Sequence, residues 1–197
     1  MAPEQNELKD VADSGLPPTL RRMKVPPTFK LTIALSGGFI YAAAGALIGS
    51  MNAGWLGLER NANAVLPALG VGAALVVIAF FSTTLHERLR EVGTLGRVTQ
   101  VLIAAGSLFF VLSWLIEFAI VGTLFLGLGL VCLSVSVTRW RLVATTDRVL
   151  IILSAVGSLT WNTETVSAFL LVGVGFLWMI LSIRLLPPSG KEVIRGT

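Results

Sequence analysis

Three pairs of tryptophan and glutamate are the residues in this sequence whose types and spacing could do chemistry. They lie between long apolar runs, accompanied by one arginine and one asparagine. The set comprises Trp55, Glu59, Arg60, Trp114, Glu117, Trp161, Asn162 and Glu164. Carboxylates at the ends of apolar helices could bind a cation or a proton, because a low dielectric raises their proton affinity. Both residue types are also common where helices leave a membrane, so an outward-facing site and a purely interfacial role remain open.

The sequence lacks the residues that other kinds of catalytic or metal site need. The single histidine, His86, cannot supply the paired ligands that a zinc protease or a haem held between helices needs. The single cysteine, Cys132, excludes an internal disulfide and lies in an apolar run, as a small buried hydrophobe does. Serines in the apolar runs have no histidine or lysine base nearby, and we expect them to bond backbone carbonyls of their own or a neighbouring helix. We therefore expect no catalytic residue, no cofactor and no metal ligand.

The basic residues form four clusters that predict an orientation. The clusters hold fourteen of the 15 Lys and Arg residues: Lys9, Arg21, Arg22, Lys24 and Lys30; Arg88, Arg90 and Arg97; Arg139, Arg141 and Arg148; and Arg184, Lys191 and Arg195. Positive charge is retained in short loops on the cytoplasmic side of a membrane. The pattern therefore predicts that both termini lie inside and that three loops lie outside. Arg60 is the only basic residue expected in the outer loops.

Six uncharged runs separate these charges, and each is long enough, or nearly so, to cross a bilayer. They cover residues 31–58, 61–85, 98–116, 118–138, 149–163 and 165–183. With 54% hydrophobic and 13% charged residues, the chain has more apolar surface than one soluble core can bury. The run 149–163 gives about 22 Å of helix against a hydrocarbon core of roughly 30 Å, so the fifth helix must borrow polar residues, thin the bilayer or end below the surface. We predict an all-α integral membrane protein with six transmembrane helices.

The remaining segments are short. Residues 1–28 carry charges of both signs and several prolines, and we predict a largely irregular cytosolic tail. Residues 29–186 form the transmembrane domain, and residues 187–197 form a second cytosolic tail. Between the second and third spans, Glu87, Arg90 and Glu91 have the spacing of a short amphipathic helix.

A glycine pattern repeats in the second, fourth and sixth spans and indicates three antiparallel hairpins of one type. Each of these spans contains a G-x-G sequence, and the third and fifth spans share an Ala-x-Gly-Ser-Leu sequence in the same register. The glycines are Gly70 and Gly72, Gly127 and Gly129, Gly173 and Gly175, and in the partner helices Gly106 and Gly157. Because glycine lets helix backbones approach closely in lipid, we expect these positions to face other helices.

Function is less sharply indicated than topology. Helix-packing residues are abundant and catalytic groups are missing, which favours a non-enzymatic accessory, assembly or scaffolding protein that contacts another membrane protein, a second copy or lipid. A small transporter or channel with an acidic outward vestibule is the alternative. The basic residues flank apolar spans and form no stripe with aromatic residues, so nucleic acid is not an expected partner. A bacterial cytoplasmic membrane is the expected location, with a thylakoid or other organelle membrane also possible.

Overall fold

The computed structural model describes residues 26–55, 64–81, 83–113, 116–160 and 166–186, and within these ranges the chain is helical and contains no β-strand. The helices are α1 (Pro27–Asn52), α2 (Leu66–Phe81), α3 (Thr84–Glu91), α4 (Thr94–Val111), α5 (Ile116–Arg139), α6 (Thr145–Thr160) and α7 (Leu170–Leu185). A 3-10 turn at Val166–Phe169 precedes α7.

Four of the described helical segments are long and apolar enough to cross a membrane: Thr28–Asn52, Thr94–Val111, Ile120–Arg139 and Ser167–Leu185. A fifth crossing results if Leu66–Phe81 and Leu85–Glu91, which bend by 71° at a short break, form one broken span. The protein therefore has the build of a multi-pass integral membrane protein with four to five such spans.

The six long helices form a closed ring in chain order. The principal contacts join α1 to α2, α2 to α4, α4 to α5, α5 to α6, α6 to α7, and α7 back to α1. Consecutive long helices run antiparallel, so the bundle has two ends. We call the end that carries Arg88, Arg97, Arg139, Arg148 and Arg184 the basic end, and the end where α1 stops and α2 starts the opposite end.

Apolar side chains cover both the inside and the outside of the ring. Tyr41, Leu69, Phe110 and Leu171 are buried, with at most 1% of their surface exposed. Each long helix also exposes large apolar side chains outward, among them Phe39, Ile78, Val101, Leu124, Val156 and Phe176. A helix that is apolar all round belongs in a membrane or a large core, and a ring six helices wide has no core large enough to cover these outer faces. The outer surface is therefore suited to lipid.

The short helix α3 closes the ring at its basic end. Leu85 and Leu89 are buried in the same apolar cluster as the long helices, while Glu87, Arg88 and Arg90 are exposed. Gly96 of α4 approaches the Leu89 carbonyl so closely that a side chain there would overlap it. The amphipathic helix expected from the charge spacing is thus present, and its apolar face covers the interior.

Helix α6 begins before the uncharged run that predicted it. The expected span started at residue 149, whereas the helix starts at Thr145 and includes Thr146, Asp147 and Arg148. The helix thus includes polar residues before the apolar run, but it is not among the segments long and apolar enough to cross a membrane. Its 16 residues give about 24 Å of helix, which is less than the roughly 30 Å of a hydrocarbon core.

Candidate functional site

Most of the predicted outer-face site lies outside the described residues. Glu59, Arg60, Trp114, Trp161, Asn162 and Glu164 are all in this group. Glu117 falls in the first turn of α5, at the opposite end of the ring. Among the described helices, α1, α4 and α6 end there, and α2, α5 and α7 begin there.

Trp55 is the one member of this set whose side chain is described. It follows α1 and is 74% exposed. Its ring lies 5.6 Å from that of Phe169, in the 3-10 turn that precedes α7. Phe169 in turn lies against Gly49 of α1. The contact joins the first and third hairpins at the opposite end, and it leaves most of the indole free for the interfacial position expected of tryptophan.

The predicted packing glycines in the first two hairpins contact corresponding helices, although Gly70 meets backbone atoms and Gly127 meets only a side chain. The first glycine of each G-x-G pair meets the next hairpin, since Gly70 lies against Phe110 of α4 and Gly127 lies against Leu159 of α6. The second glycine meets its own hairpin: Gly72 lies against the Gly37 carbonyl and the Tyr41 backbone, and Gly129 lies against Ile103. Gly106 and Gly157 also pack within their hairpins, against Leu126 and Val174 respectively.

The third hairpin departs from this arrangement. Gly175 meets the Gly38 carbonyl and Ala42 of α1, and thereby closes the ring. Gly173 is exposed, and no atom lies within 4 Å of the position that its Cβ would take. Because neighbouring residues of a helix point about 100° apart, the burial of Val174 and Gly175 turns Gly173 outward. Gly173 therefore differs from the expectation that every glycine of the pattern faces a helix of the same chain.

An ion pair at the basic end was not expected from the sequence. Nε of Arg184, at the end of α7, donates to Oδ1 of Asp147 in the first turn of α6. The Asp147 side chain is 9% exposed, and the Arg184 side chain is 35% exposed. A carboxylate in the first turn also benefits from the positive end of the helix dipole. The pair ties the two helices of the third hairpin together at their basic end.

A cavity of about 60 Å³ lies inside the ring beneath α3. Its walls are apolar and include Leu130, Ile151 and Trp178, and His86 and Gln100 border it without presenting polar atoms to it. Gln100 Nε2 donates to the His86 carbonyl oxygen at 2.9 Å, and His86 Nδ1 is buried with no hydrogen-bond partner. The volume corresponds to about two water molecules and is well below the roughly 300 Å³ at which ordinary ligand pockets begin.

Many of the described hydroxyl groups within the helices bond to their own backbone, as expected for embedded serine and threonine, whereas the buried Ser158 hydroxyl does not. Thr99 donates to Leu95 at 2.8 Å, Ser107 to Ala104 at 2.9 Å, Ser134 to Leu130 at 2.8 Å, Ser136 to Cys132 at 2.8 Å, Ser154 to Leu150 at 2.9 Å and Ser182 to Trp178 at 2.7 Å, in each case to the carbonyl oxygen. These hydroxyl groups are therefore bonded within their own helices, and two of their residues, Thr99 and Ser154, also border the cavity beneath α3.

In the part of the chain that the structure describes, no group of three or more His, Cys, Asp or Glu side chains is placed to bind a metal ion. Comparison of the chain with protein-family models, with curated proteins and with solved structures found no match. The ring, its ion pair and its outward glycine are therefore interpreted on physical grounds alone.

Proposed function

We propose that this chain is a non-enzymatic accessory, assembly or scaffolding protein that binds another integral membrane protein through the outer faces of its helices. In this proposal all six long helices cross the membrane as three hairpins. The basic end and both termini lie on the cytoplasmic side of a bacterial cytoplasmic membrane. The clustered arginines support the orientation. The corresponding glycine contacts in the first two hairpins support a common hairpin type.

The observation that carries the proposal is the difference between Gly173 and the other glycines of the pattern. Seven of the eight lie against atoms of neighbouring helices, whereas Gly173 opens towards the membrane between the exposed residues Leu170 and Phe176. Helices in lipid associate through close backbone approach, because lipid removes the hydrophobic driving force between them. An outward glycine flanked by large apolar side chains provides such an approach for a partner helix.

The interior of the ring supports the same conclusion. The Tyr41 and Trp178 rings lie 4.5 Å apart across the contact of α1 with α7, and both side chains are buried. Leu66, Leu69 and Phe110 fill the half nearer the opposite end. Apart from the small cavity beneath α3, the described interior is thus filled by large side chains, and the larger available surface is the outer one.

Substitution of Gly173 tests the proposal. Gly173→Leu is expected to reduce co-purification of the partner at least about tenfold, because the added side chain blocks the backbone approach. Ala104→Leu, at an exposed position on α4, adds a comparable apolar group to a different outer face. Protein abundance and melting temperature should match the wild type in both variants, with partners quantified by mass spectrometry after gentle detergent extraction. Retention of the same partner by the Gly173 variant, or a wild-type monomer that carries no partner, would contradict the proposal.

The alternative transporter or channel function makes the opposite prediction. If Glu59, Glu117 and Glu164 form a vestibule, Glu117→Gln and Glu164→Gln should abolish the physiological phenotype of the protein while abundance and partner binding stay normal. A scaffold tolerates these substitutions. The packed interior means that a path through a single copy would have to rearrange the ring, whereas the scaffold needs no such change.

A further inference from the structure

We propose that four arginines around the α5–α6 turn bind the phosphate group of an anionic phospholipid. The residues are Arg88 of α3, Arg139 and Arg141 at the end of α5, and Arg148 in the first turns of α6. We call this group the arginine corner. The site requires that the chain is embedded in a membrane, as proposed above, but it does not require the protein partner.

Two hydrogen bonds bring arginines of separate helices to the same turn. Nη1 of Arg88 donates to the Leu142 carbonyl oxygen at 3.0 Å, across 54 residues of sequence. Nε of Arg148 donates to the Val143 carbonyl oxygen at 2.9 Å. Carbonyl oxygens hold the side chains in place but carry no net charge. Both guanidinium groups therefore remain positive at the turn that follows Arg139 and Arg141 in the chain.

The charges of this corner lack carboxylate partners within the described ranges. Asp147 is the nearest acidic residue in sequence, and it is bonded to Arg184 in the one ion pair found there. Glu87 and Glu91 lie on the exposed surface of α3 and make no ion pair with any described arginine. Arg139, Arg141 and Arg88 are all exposed. The corner therefore has an excess of positive charge that an external anion can neutralise.

The local backbone makes this turn a defined structure. The Leu142 N–H bonds to the Val137 carbonyl at 3.3 Å, and Arg141 has a φ of 48°, which together form the Schellman ending of α5. That left-handed position favours glycine, yet here it is occupied by an arginine.

Trp140 indicates that the anion belongs to a lipid. Its side chain is 41% exposed, and the Arg139 guanidinium carbon lies 5.4 Å from the centre of its ring. Tryptophan prefers the level of the headgroups, and this residue follows the last turn of a membrane-length helix. Guanidinium groups form paired hydrogen bonds with phosphate oxygens, whereas the indole can lie against the glycerol and upper acyl region of the same lipid. A soluble phosphate would use the arginines but gain nothing from the tryptophan.

Lipid binding by the purified full-length chain tests this assignment. Native mass spectrometry should show dioleoyl-phosphatidylglycerol bound at least about tenfold more tightly than dioleoyl-phosphatidylcholine, with inorganic phosphate at millimolar concentration competing poorly. The double variant Arg139→Gln/Arg141→Gln should weaken phosphatidylglycerol binding about 25-fold, since each basic residue near an anionic surface contributes about fivefold in affinity. Both positions are exposed, so the melting temperature should stay within about 3 °C of the wild type.

The control is Arg90→Gln/Arg97→Gln, which removes two exposed arginines from the same end of the protein but outside the arginine corner. It should weaken phosphatidylglycerol binding by less than about threefold. Equal losses in the two double variants would mean that the basic end attracts anionic lipid only diffusely, and would overturn the site. Displacement of the lipid by inorganic phosphate alone would overturn the assignment to a phospholipid. Neither outcome bears on partner binding, which the Gly173 variant measures separately.

Discussion

Gly106→Ala is expected to lower the free energy of unfolding by about 3 kcal/mol, at the upper end of what overpacking in a well-filled core typically costs. Gly106 lies against the backbone of Leu126, and the added methyl group would overlap the Leu126 backbone nitrogen. A flexible side chain can rotate away from such an overlap, but a helix backbone cannot. The substitution must therefore separate α4 from α5, which form the central hairpin of the ring.

Gly173→Ala is the matched control, because it adds the same methyl group in open space. Its melting temperature in detergent should equal or slightly exceed the wild-type value, since alanine favours helix over glycine by about 1 kcal/mol. The difference in melting temperature between the two variants measures the cost of backbone contact alone. Equal melting temperatures would contradict the close approach of α4 to α5.

Asp147→Asn is expected to destabilise the protein by about 2 kcal/mol. Breaking a fully buried ion pair typically costs about 3–5 kcal/mol, and the value here is lower because the Arg184 side chain is 35% exposed and can reach water. The double variant Asp147→Asn/Arg184→Gln should recover part of this loss, since it leaves no unpaired guanidinium between the helices. Thermal unfolding in detergent measures all three proteins.

Glu91→Gln provides the control for this prediction. It also removes one carboxylate at the basic end, but the side chain is exposed and makes no ion pair with a described residue. Its melting temperature should match the wild type, because isolated surface charges contribute little. If Asp147→Asn melts at the same temperature as Glu91→Gln, the ion pair does not join α6 to α7.

Much of the fold could be predicted from the charge-free runs. Each of the six runs overlaps a helix, because an uncharged apolar segment favours internal backbone hydrogen bonds, but α6, and α2 taken by itself, are not among the segments long enough to cross a membrane. The ends were less predictable. The helix in the run 31–58 stops at Asn52, before the run ends. The helix that overlaps the run 149–163 starts at Thr145, four residues before the run begins. Charge marks where a segment may not enter hydrocarbon, but helix ends also depend on local packing.

The ion pair between Asp147 and Arg184 at the basic end was not predicted from the sequence. Asp147 and Arg184 are 37 residues apart and come together only when α6 and α7 pack side by side. In the sequence, Arg184 belonged to a cluster of topology charges, and Asp147 lay just outside an apolar run. The sequence offered one signal: Asp147 lies just before a short apolar run, and Arg184 lies at the end of the next apolar run. Burial of the pair depends on the ring, which the sequence pattern does not specify.

The glycines of the G-x-G pattern show the same limit of the sequence pattern. Their spacing predicts close helix contacts, and seven of the eight lie against another helix. The sequence could not distinguish Gly173, because the rotation of α7 about its axis is set by its packing against α1 and α6. The predicted outer-face carboxylates lie largely outside the described residues and stay a prediction.

Side-specific labelling of single cysteines tests the central claim, a six-span ring with its basic end in the cytoplasm. Asn52, Arg90, Asn162 and Ser189 would each be replaced by cysteine in a chain whose Cys132 is changed to alanine. An impermeant thiol reagent added to intact cells should label positions 52 and 162, and should reach positions 90 and 189 only after permeabilisation. Labelling of position 189 from outside would contradict the orientation, and failure to label position 162 from outside would contradict the third membrane-spanning hairpin.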